Sequence, residues 1–270
     1  MSALTFVMKK RLDQRVDMSP LVCNKLEGLA PAEIASIELQ NGKRKVRVDE
    51  LFKIKGSDAQ NIVFEGSFAK LDFIGKQLKG GSITIHGDVG AYLGMEMQAG
   101  TIKVDGNTGI YSACEMKDGY LEIKGNAGDF LAAALPGNRQ GMKGGLVLVK
   151  GNAGERAGDH MRRGVLLVEG NAGDYCGSRM VAGTIAVMGT TGRYLGYAMR
   201  RGTFLLWNQP ELSATFNDCG KHTLSFLPMM FSSFKNLNSK FAKDSARFNR
   251  VQRYGGDMAE MGRGEVLVKI

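Results

Sequence analysis

The chain has 270 residues, 43% hydrophobic and 23% charged, the balance of an ordinary globular protein with a sizeable core. It carries 36 Lys and Arg against 27 Asp and Glu, a formal net charge of +9 that favours an anionic partner. No apolar run approaches the roughly 18 residues of a membrane span, and 37 glycines with no G-x-y period exclude collagen.

Residues 1–60 do not repeat. The first twenty are charged and alternating, without the apolar core of a signal peptide, so they read as an opening strand of a cytoplasmic protein. Pro20 and Pro31 stand where helices begin, and residues 43–56 end in a strand. This N-terminal α/β unit is expected to cap the remainder of the chain, because open strand edges invite aggregation.

From 61 to 220 the chain repeats. "GSITIHGDVGAYLGMEMQAG" (81–100) is succeeded by copies at 100–119, 119–145, 145–164, 164–183 and 183–202, at a period of 19 residues. The period is broken by an insertion around Pro136 to Gln140. A degenerate copy (64–81) precedes and a degraded one (202–220) ends the series. Apolar pairs such as Ile83/Ile85, Leu121/Ile123 and Leu166/Val168 alternate as one face of a short strand. Gly87, Gly106, Gly125, Gly151, Gly170 and Gly189 end those strands and are expected to supply positive φ. Next comes an aromatic column (Tyr92, Tyr111, Phe130, Tyr175, Tyr194), interrupted by Arg156. After it comes a Met column (Met97, Met116, Met142, Met161, Met180, Met199), which reads as core filler. Columns of identical residues imply copies stacked in register. The pattern predicts a mainly β fold, a right-handed parallel β-helix of about 19 residues per turn.

Outward strand positions change along the stack. Ser82, Thr84, His86, Thr101, Lys103 and Asp105 suit water, whereas Leu146, Leu148, Val165, Leu167, Ala186, Met188, Leu205 and Trp207 are apolar. A strand apolar on both faces is covered on both. Residues 221–270 hold a candidate cover: over 226–251, Met230, Phe234, Leu237, Phe241 and Phe248 share one helical stripe, with Lys235, Lys243 and Arg250 opposite. This amphipathic helix either packs on the apolar strands or leaves them for another subunit; a final strand ends the chain.

Catalytic patterns are absent from the sequence. His86, His160 and His222 lie far apart, with no H-x-H or HExxH, and His86 and His160 read as surface residues. The four cysteines (Cys23, Cys114, Cys176, Cys219) have no CxxC or zinc spacing, so no metal is expected. Cys176 reads as a buried structural thiol and Asp218-Cys219 as a turn. No cofactor motif is found, and nucleic acid is disfavoured because aromatic interleaving is missing. Lys117, Lys143, Arg162, Arg163, Arg200 and Arg201 all come after the Met column and precede the closing glycine. Stacking would align them as one basic edge, with Val181/Ala182 its apolar gap.

The columns G-[ND]-x-G-x-[YF]-x-[GA]-x-x-M-x-x-G resemble the glycine-rich β-helix of two groups. One is the C-terminal domain of the glutamate synthase large subunit. The other is the C subunit of formylmethanofuran dehydrogenase and of its bacterial relative, the formyltransferase/hydrolase complex. "LDFIGKQLKGG" (71–81), "ATFNDCGKHTLSFL" (214–227) and "RYGGDMAEMGRGEVL" (253–267) look like the bacterial C subunit, and a chain of this length fits that protein. The resemblance implies a non-catalytic scaffold in a cytoplasmic hetero-oligomer of methylotrophic one-carbon oxidation. Such a complex passes a formyl group from formyl-tetrahydromethanopterin to a methanofuran-type carrier and hydrolyses it to formate. Its active sites belong to sibling subunits: a formyltransferase, an amidohydrolase-like hydrolase and a further subunit. The resemblance also implies a ligand for the basic edge, since such carriers have a glutamate-rich, anionic tail. Two alternatives share the motif: the C subunit of an archaeal Mo- or W-dependent formylmethanofuran dehydrogenase, and a free-standing glutamate-synthase-like spacer of an amidotransferase.

Overall fold

A computed structural model describes residues 2–243 and 248–270. The N-terminal part runs β1 (Ala3–Met8), β2 (Val16–Asp17), α1 (Cys23–Leu26), α2 (Pro31–Ser36), β3 (Glu38–Asn41), β4 (Arg44–Arg47), α3 (Val48–Leu51) and β5 (Phe52–Lys55). The repeats supply β6 (Asp58–Ser67), β7 (Leu71–Asp72), β8 (Ser82–Gly87), β9 (Thr101–Val104), β10 (Tyr120–Ile123), β11 (Leu146–Val149), β12 (Val165–Val168), β13 (Thr184–Val187) and β14 (Arg201–Leu206). The chain then forms β15 (Asn217–Thr223), α4 (Phe226–Ser232), α5 (Lys240–Lys243), β16 (Arg250–Gly256) and β17 (Arg263–Lys269).

The protein is mainly β. Thirteen strands form one mixed sheet in the order β15-β16-β17-β14-β13-β12-β11-β10-β9-β8-β6-β1-β5, and β4-β3-β2-β7 form a second. The register obeys the repeat. Ile83, Ile102, Leu121, Val147, Leu166, Ile185 and Phe204 are successive partners in parallel pairs, and all are fully buried. A second ladder of single bridges links Val89, Thr108, Ala127, Ala153, Ala172 and Thr191. Each copy is therefore held to the next at two places, so every column of the repeat stacks on itself. The Met column is fully buried, as its thioethers were expected to be.

The strand-ending glycines have a different purpose from the one expected. Only Gly87 among the six has positive φ. At Gly106, Gly125, Gly151, Gly170 and Gly189 a Cβ would lie 2.5–2.6 Å from the carbonyl oxygen of the equivalent glycine one copy back. Glycine is required there because the backbones touch, not because the chain turns left-handed. The left-handed corner falls instead on the aromatic column: Tyr92, Tyr111, Phe130, Arg156, Tyr175 and Tyr194 all have φ of 57–62°. Such a conformation costs an ordinary residue about 1–2 kcal/mol. Stacking offsets it: Tyr92–Tyr111, Tyr111–Phe130 and Tyr175–Tyr194 centroids lie 5.4, 4.7 and 4.7 Å apart. Arg156 keeps the column continuous, its guanidinium 4.5 Å from the Tyr175 centroid. Beside it runs a ladder in which Asp88, Asn107, Asn126, Asn152 and Asn171 each accept, through Oδ1, the backbone N–H of the next copy at 2.8 Å.

The two ends are woven into the same sheet. β1 pairs in parallel with β6 and antiparallel with β5, and Phe6 stacks on Phe64 at 5.2 Å and meets Phe52 edge-on at 5.7 Å. At the other end β17 pairs in parallel with β14, with Val266 opposite Phe204. The C-terminal strand thus continues the ladder that the degraded copy 202–220 leaves open.

The apolar outer face is covered from within the chain. Leu148, Leu167, Ala186 and Leu205 are fully buried beneath Leu227, Phe231, Phe234, Phe241 and Phe248. Trp207 packs at the margin, 4.7 Å from Phe248 and 5.4 Å from Phe241 between centroids. The single helix expected over 226–251 is not what forms. Two short helices, α4 and α5, flank a turn, and residues 244–247 lie outside the described part. Ser232 and Ser233 donate their hydroxyls to the carbonyls of Met229 and Met230 at 2.7 and 2.6 Å, competing with the next helical turn. The stripe accordingly shifts phase: Phe231 is buried while Met230 is only partly so. The buried Glu169 carboxylate accepts the backbone N–H of Lys240 at 2.7 Å and so ties the start of α5 to β12.

Candidate anion-binding edge

The basic edge is built by the same repetition. Each residue after a Met donates its N–H to the Met carbonyl one copy back: Lys117 to Met97, Lys143 to Met116, Arg162 to Met142 and Arg200 to Met180, at 2.7–2.8 Å. Because the Met side chains fill the interior, their neighbours face solvent. Four of the expected residues come together: Lys143, Arg162, Arg163 and Arg201 line a cleft of about 560 Å³ together with Val181 and Ala182. Arg200 does not join them. It lies on an adjoining cleft of about 700 Å³, 3.7 Å from Glu260, and Arg162 is shared between the two clefts. Lys117 is exposed and lines neither.

The second cleft contains Arg139, His160 and Arg179, which sequence reasoning missed. For His160 and Arg179 a signal was present, since the column just before Met changes from Glu96 and Glu115 to these two residues; Arg139 stands in the insertion, outside that column. Arg179 is held rigidly, its Nε and Nη2 donating to the two oxygens of Asp159 at 3.0 and 2.6 Å. Asp159 is buried and also accepts the Ser178 hydroxyl at 2.6 Å, so its charge is fully partnered. His160 is half-buried rather than a plain surface residue. Burial pushes its imidazole below the ordinary value, and Arg179, Arg139 and Arg162 add to this against the pull of Asp159. It is therefore neutral near pH 7.

The remaining titratable residues are dispersed. His86 pairs with Asp105 at 2.5 Å, and Asp105 with Lys124 at 2.6 Å, as a row on the open strand face. Lys124, then His86, holds the Asp105 carboxyl below its usual range. His222 meets the Cys219 carbonyl at 2.9 Å. Asp218 and Cys219 do not form the expected turn: they lie in β15, where Asp218 stands opposite Tyr254 of β16 and accepts the Gly220 N–H at 2.7 Å beside a bulge in the pairing. Burial raises the thiols of Cys114 and Cys176 to about 12 and of Cys23 to about 11, far from nucleophilic at neutral pH. Among the described residues, no group of three His, Cys, Asp or Glu is arranged to hold a metal ion, and no helix is long and apolar enough to cross a membrane.

A GXGXG-motif family profile matches residues 70–226, more than half of the chain. The chain belongs to the GXGXG-motif family. Within it, the likeness is to the C subunit of the formyltransferase/hydrolase complex Fhc of Methylorubrum extorquens, at 37% identity over 89 residues. The C subunit of a tungsten-containing formylmethanofuran dehydrogenase 2 from Methanococcus maripaludis is 29% identical over 95 residues. These matched segments cover 33% and 34% of this chain, and 34% and 35% of the two relatives, about a third of each. The structural likeness extends much further. A chain of the X-ray crystal structure of the M. extorquens formyltransferase/hydrolase complex with methylofuran superposes with a TM-score of 0.92 at 37% identity. The superposition covers 98% of this chain and 99% of that one.

Proposed function

We propose that this chain is the non-catalytic, scaffolding C subunit of a formyltransferase/hydrolase complex, assembled with a formyltransferase, an amidohydrolase-like hydrolase and a further subunit. The complex converts formyl-tetrahydromethanopterin to formate through a methanofuran-type carrier in the cytoplasm. The observation that carries the reading is the near full-length likeness, TM-score 0.92 over 98% of the chain, to a chain of the complex solved with methylofuran. The 37% identity to the bacterial protein against 29% to the tungsten-containing one favours the hydrolase complex over the dehydrogenase. Three of the four thiols, Cys23, Cys114 and Cys176, are buried with raised pKa values and the histidines are scattered, which supports a role without chemistry of its own. The reading includes the shape: a right-handed parallel β-helix over 61–220, a cap over 1–60, and a C-terminal segment over 221–270. Parallel crossovers are right-handed in nearly all proteins.

The carrier's anionic tail is proposed to lie along the cleft of Lys143, Arg162, Arg163 and Arg201, extended by Lys117 and Arg200. Neighbouring copies are about 4.8 Å apart, and the arginines on either side of the Val181/Ala182 gap about 10 Å, close to a Debye length of about 8 Å at physiological salt, so the cations act jointly on a mobile tail. Each exposed contact contributes about 0.3–1 kcal/mol, and four together amount to about tenfold or more in affinity. Changing Lys143, Arg162, Arg163 and Arg201 together to Gln in the assembled complex is expected to raise KM for the carrier about tenfold. Its salt dependence should fall, while hydrolysis of a tail-less formyl analogue stays unchanged. An unaltered KM for the full-length carrier removes the tail from this cleft. Failure of the chain to co-purify with co-expressed sibling subunits removes the subunit reading itself.

A further inference from the structure

We infer that the cleft around Arg179 and His160 is a protein docking surface, and that its occupant is an acidic face of another subunit. The identity of that partner as a sibling rests on the proposed membership of the complex; four features mark the surface itself.

The first is the insertion. Between residues 81 and 202 the period is interrupted only around Pro136–Gln140, and insertions in repeat arrays fall on one face, often the binding face. This one is anchored: the buried Glu115 carboxylate accepts the Asn138 amide at 2.5 Å and the Leu135 N–H at 3.2 Å. Its tip brings Arg139 to the wall of the cleft.

The second feature is fixed charge. Arg139, Arg162, Arg179 and Arg200 line the cleft against two carboxylates, Glu260 beside Arg200 and Asp159 beneath Arg179, which leaves an excess of two positive charges. Arg179 is locked by both oxygens of Asp159, so little side-chain freedom is lost when it binds. With His160 deprotonated near neutral pH, the arginines supply the positive field.

The third feature is apolar. Nine large hydrophobic side chains are exposed among the described residues; one of them, Tyr197 at 54% exposure, lines the cleft, Tyr194 at 47% belongs to the same copy, and Met258 and Met261 at 47% and 50% stand on either side in sequence of the lining Glu260. Tyr197 meets Tyr175 edge-on at 6.0 Å, and Tyr175 stacks on Tyr194 at 4.7 Å, so both exposed rings are held in place. The turn bearing the two methionines is pinned to the same copy, where Asp257 accepts the Ala198 N–H at 3.0 Å. Tyr, Met and Arg are the side chains enriched at protein interfaces, and rigid tyrosines bind at low entropic cost.

The fourth feature selects the partner. A second copy of this chain meeting across a two-fold axis would set these arginines against themselves, and like-charge juxtaposition costs several kcal/mol. A small anion would leave the exposed tyrosines and methionines in water. An acidic protein face with apolar anchors satisfies both.

The test uses Arg139→Glu with Tyr197→Ala, two exposed positions outside the tail cleft, in the chain co-expressed with its sibling subunits. An unchanged melting curve shows that the variant folds. Its association with one sibling is expected to weaken about tenfold or more at about 50 mM salt, and the difference from wild type to shrink at about 500 mM. A photo-crosslinking benzoylphenylalanine in place of Tyr197 is expected to capture an Asp- and Glu-rich segment of that sibling. Assembly at wild-type affinity, or a crosslink to a second copy or to the carrier, overturns the proposal. If the wild-type chain itself joins no sibling, the subunit reading falls and this surface falls with it. If wild type and variant join equally well, only the surface falls.

Discussion

At Gly170 the physics of the repeat is concentrated in one missing atom. A Cβ there would sit 2.5 Å from the Asn152 Oδ1 and 2.6 Å from the Gly151 carbonyl oxygen, whereas at Gly80, which also lacks positive φ, nothing lies within 4 Å. Gly170→Ala must therefore push two copies apart or break a rung of the asparagine ladder, at a cost of about 1–3 kcal/mol. Gly80→Ala is expected within about 0.5 kcal/mol of wild type. Urea unfolding midpoints of the two variants distinguish them; equal midpoints would mean that the copies are not in the close contact described. The glycine motif was legible in the sequence, but its reason was not. Positive φ and backbone contact both demand glycine, and only the neighbouring copy's position separates the two causes.

The cover made by α4, α5 and Phe248 is the element on which the outer face depends. Its burial of Leu148, Leu167, Ala186 and Leu205 creates a second core outside the stack, so an exposed sheet is not what another subunit must hide. Leu167→Ala is expected to cost about 2–5 kcal/mol and Phe231→Ala about 3–5 kcal/mol. The two side chains share one cluster, so the double variant should cost less than the sum, by roughly 0.5–3 kcal/mol. Additive losses by chemical denaturation would show that the cover and the strands are not packed as one unit. The apolar strand positions and the Phe-rich segment were both readable as partners. The helical phase was not, because Ser232 and Ser233 bond back to preceding carbonyls and end α4; a periodicity carried through that break assigns Met230 a burial that Phe231 takes.

For the whole molecule, the stack behaves as a nearly one-dimensional array in which each copy contacts its neighbours. Its ends then decide whether it persists in solution. β1 and β5 finish one end, and β17, returning from the C-terminus, lies on β14 at the other. Deleting residues 263–270 removes that strand, uncovers the β14 edge and takes Leu267 from the outer cluster and Val266 from the inner one. The truncated chain is expected to aggregate and to melt well below the full-length protein, measured by light scattering and by differential scanning calorimetry. A truncated chain that stays monodisperse with an unchanged Tm would mean that β17 contributes nothing to closing the stack.

The amino-acid sequence alone determines whatever recurs at 19 residues. The inward apolar pairs, the Met core, the aromatic column and the alignment of basic residues after each Met are all of this kind, because a residue repeated at one period must meet its own copy when the copies stack. Contacts that do not recur carry no such signature. Phe204 meets Val266 across 62 residues, Arg139 reaches its cleft from a loop that breaks the period, and Arg200 turns away from Arg201 toward Glu260. Each depends on how chain segments distant in sequence come to lie together, and a periodic pattern holds no information about that.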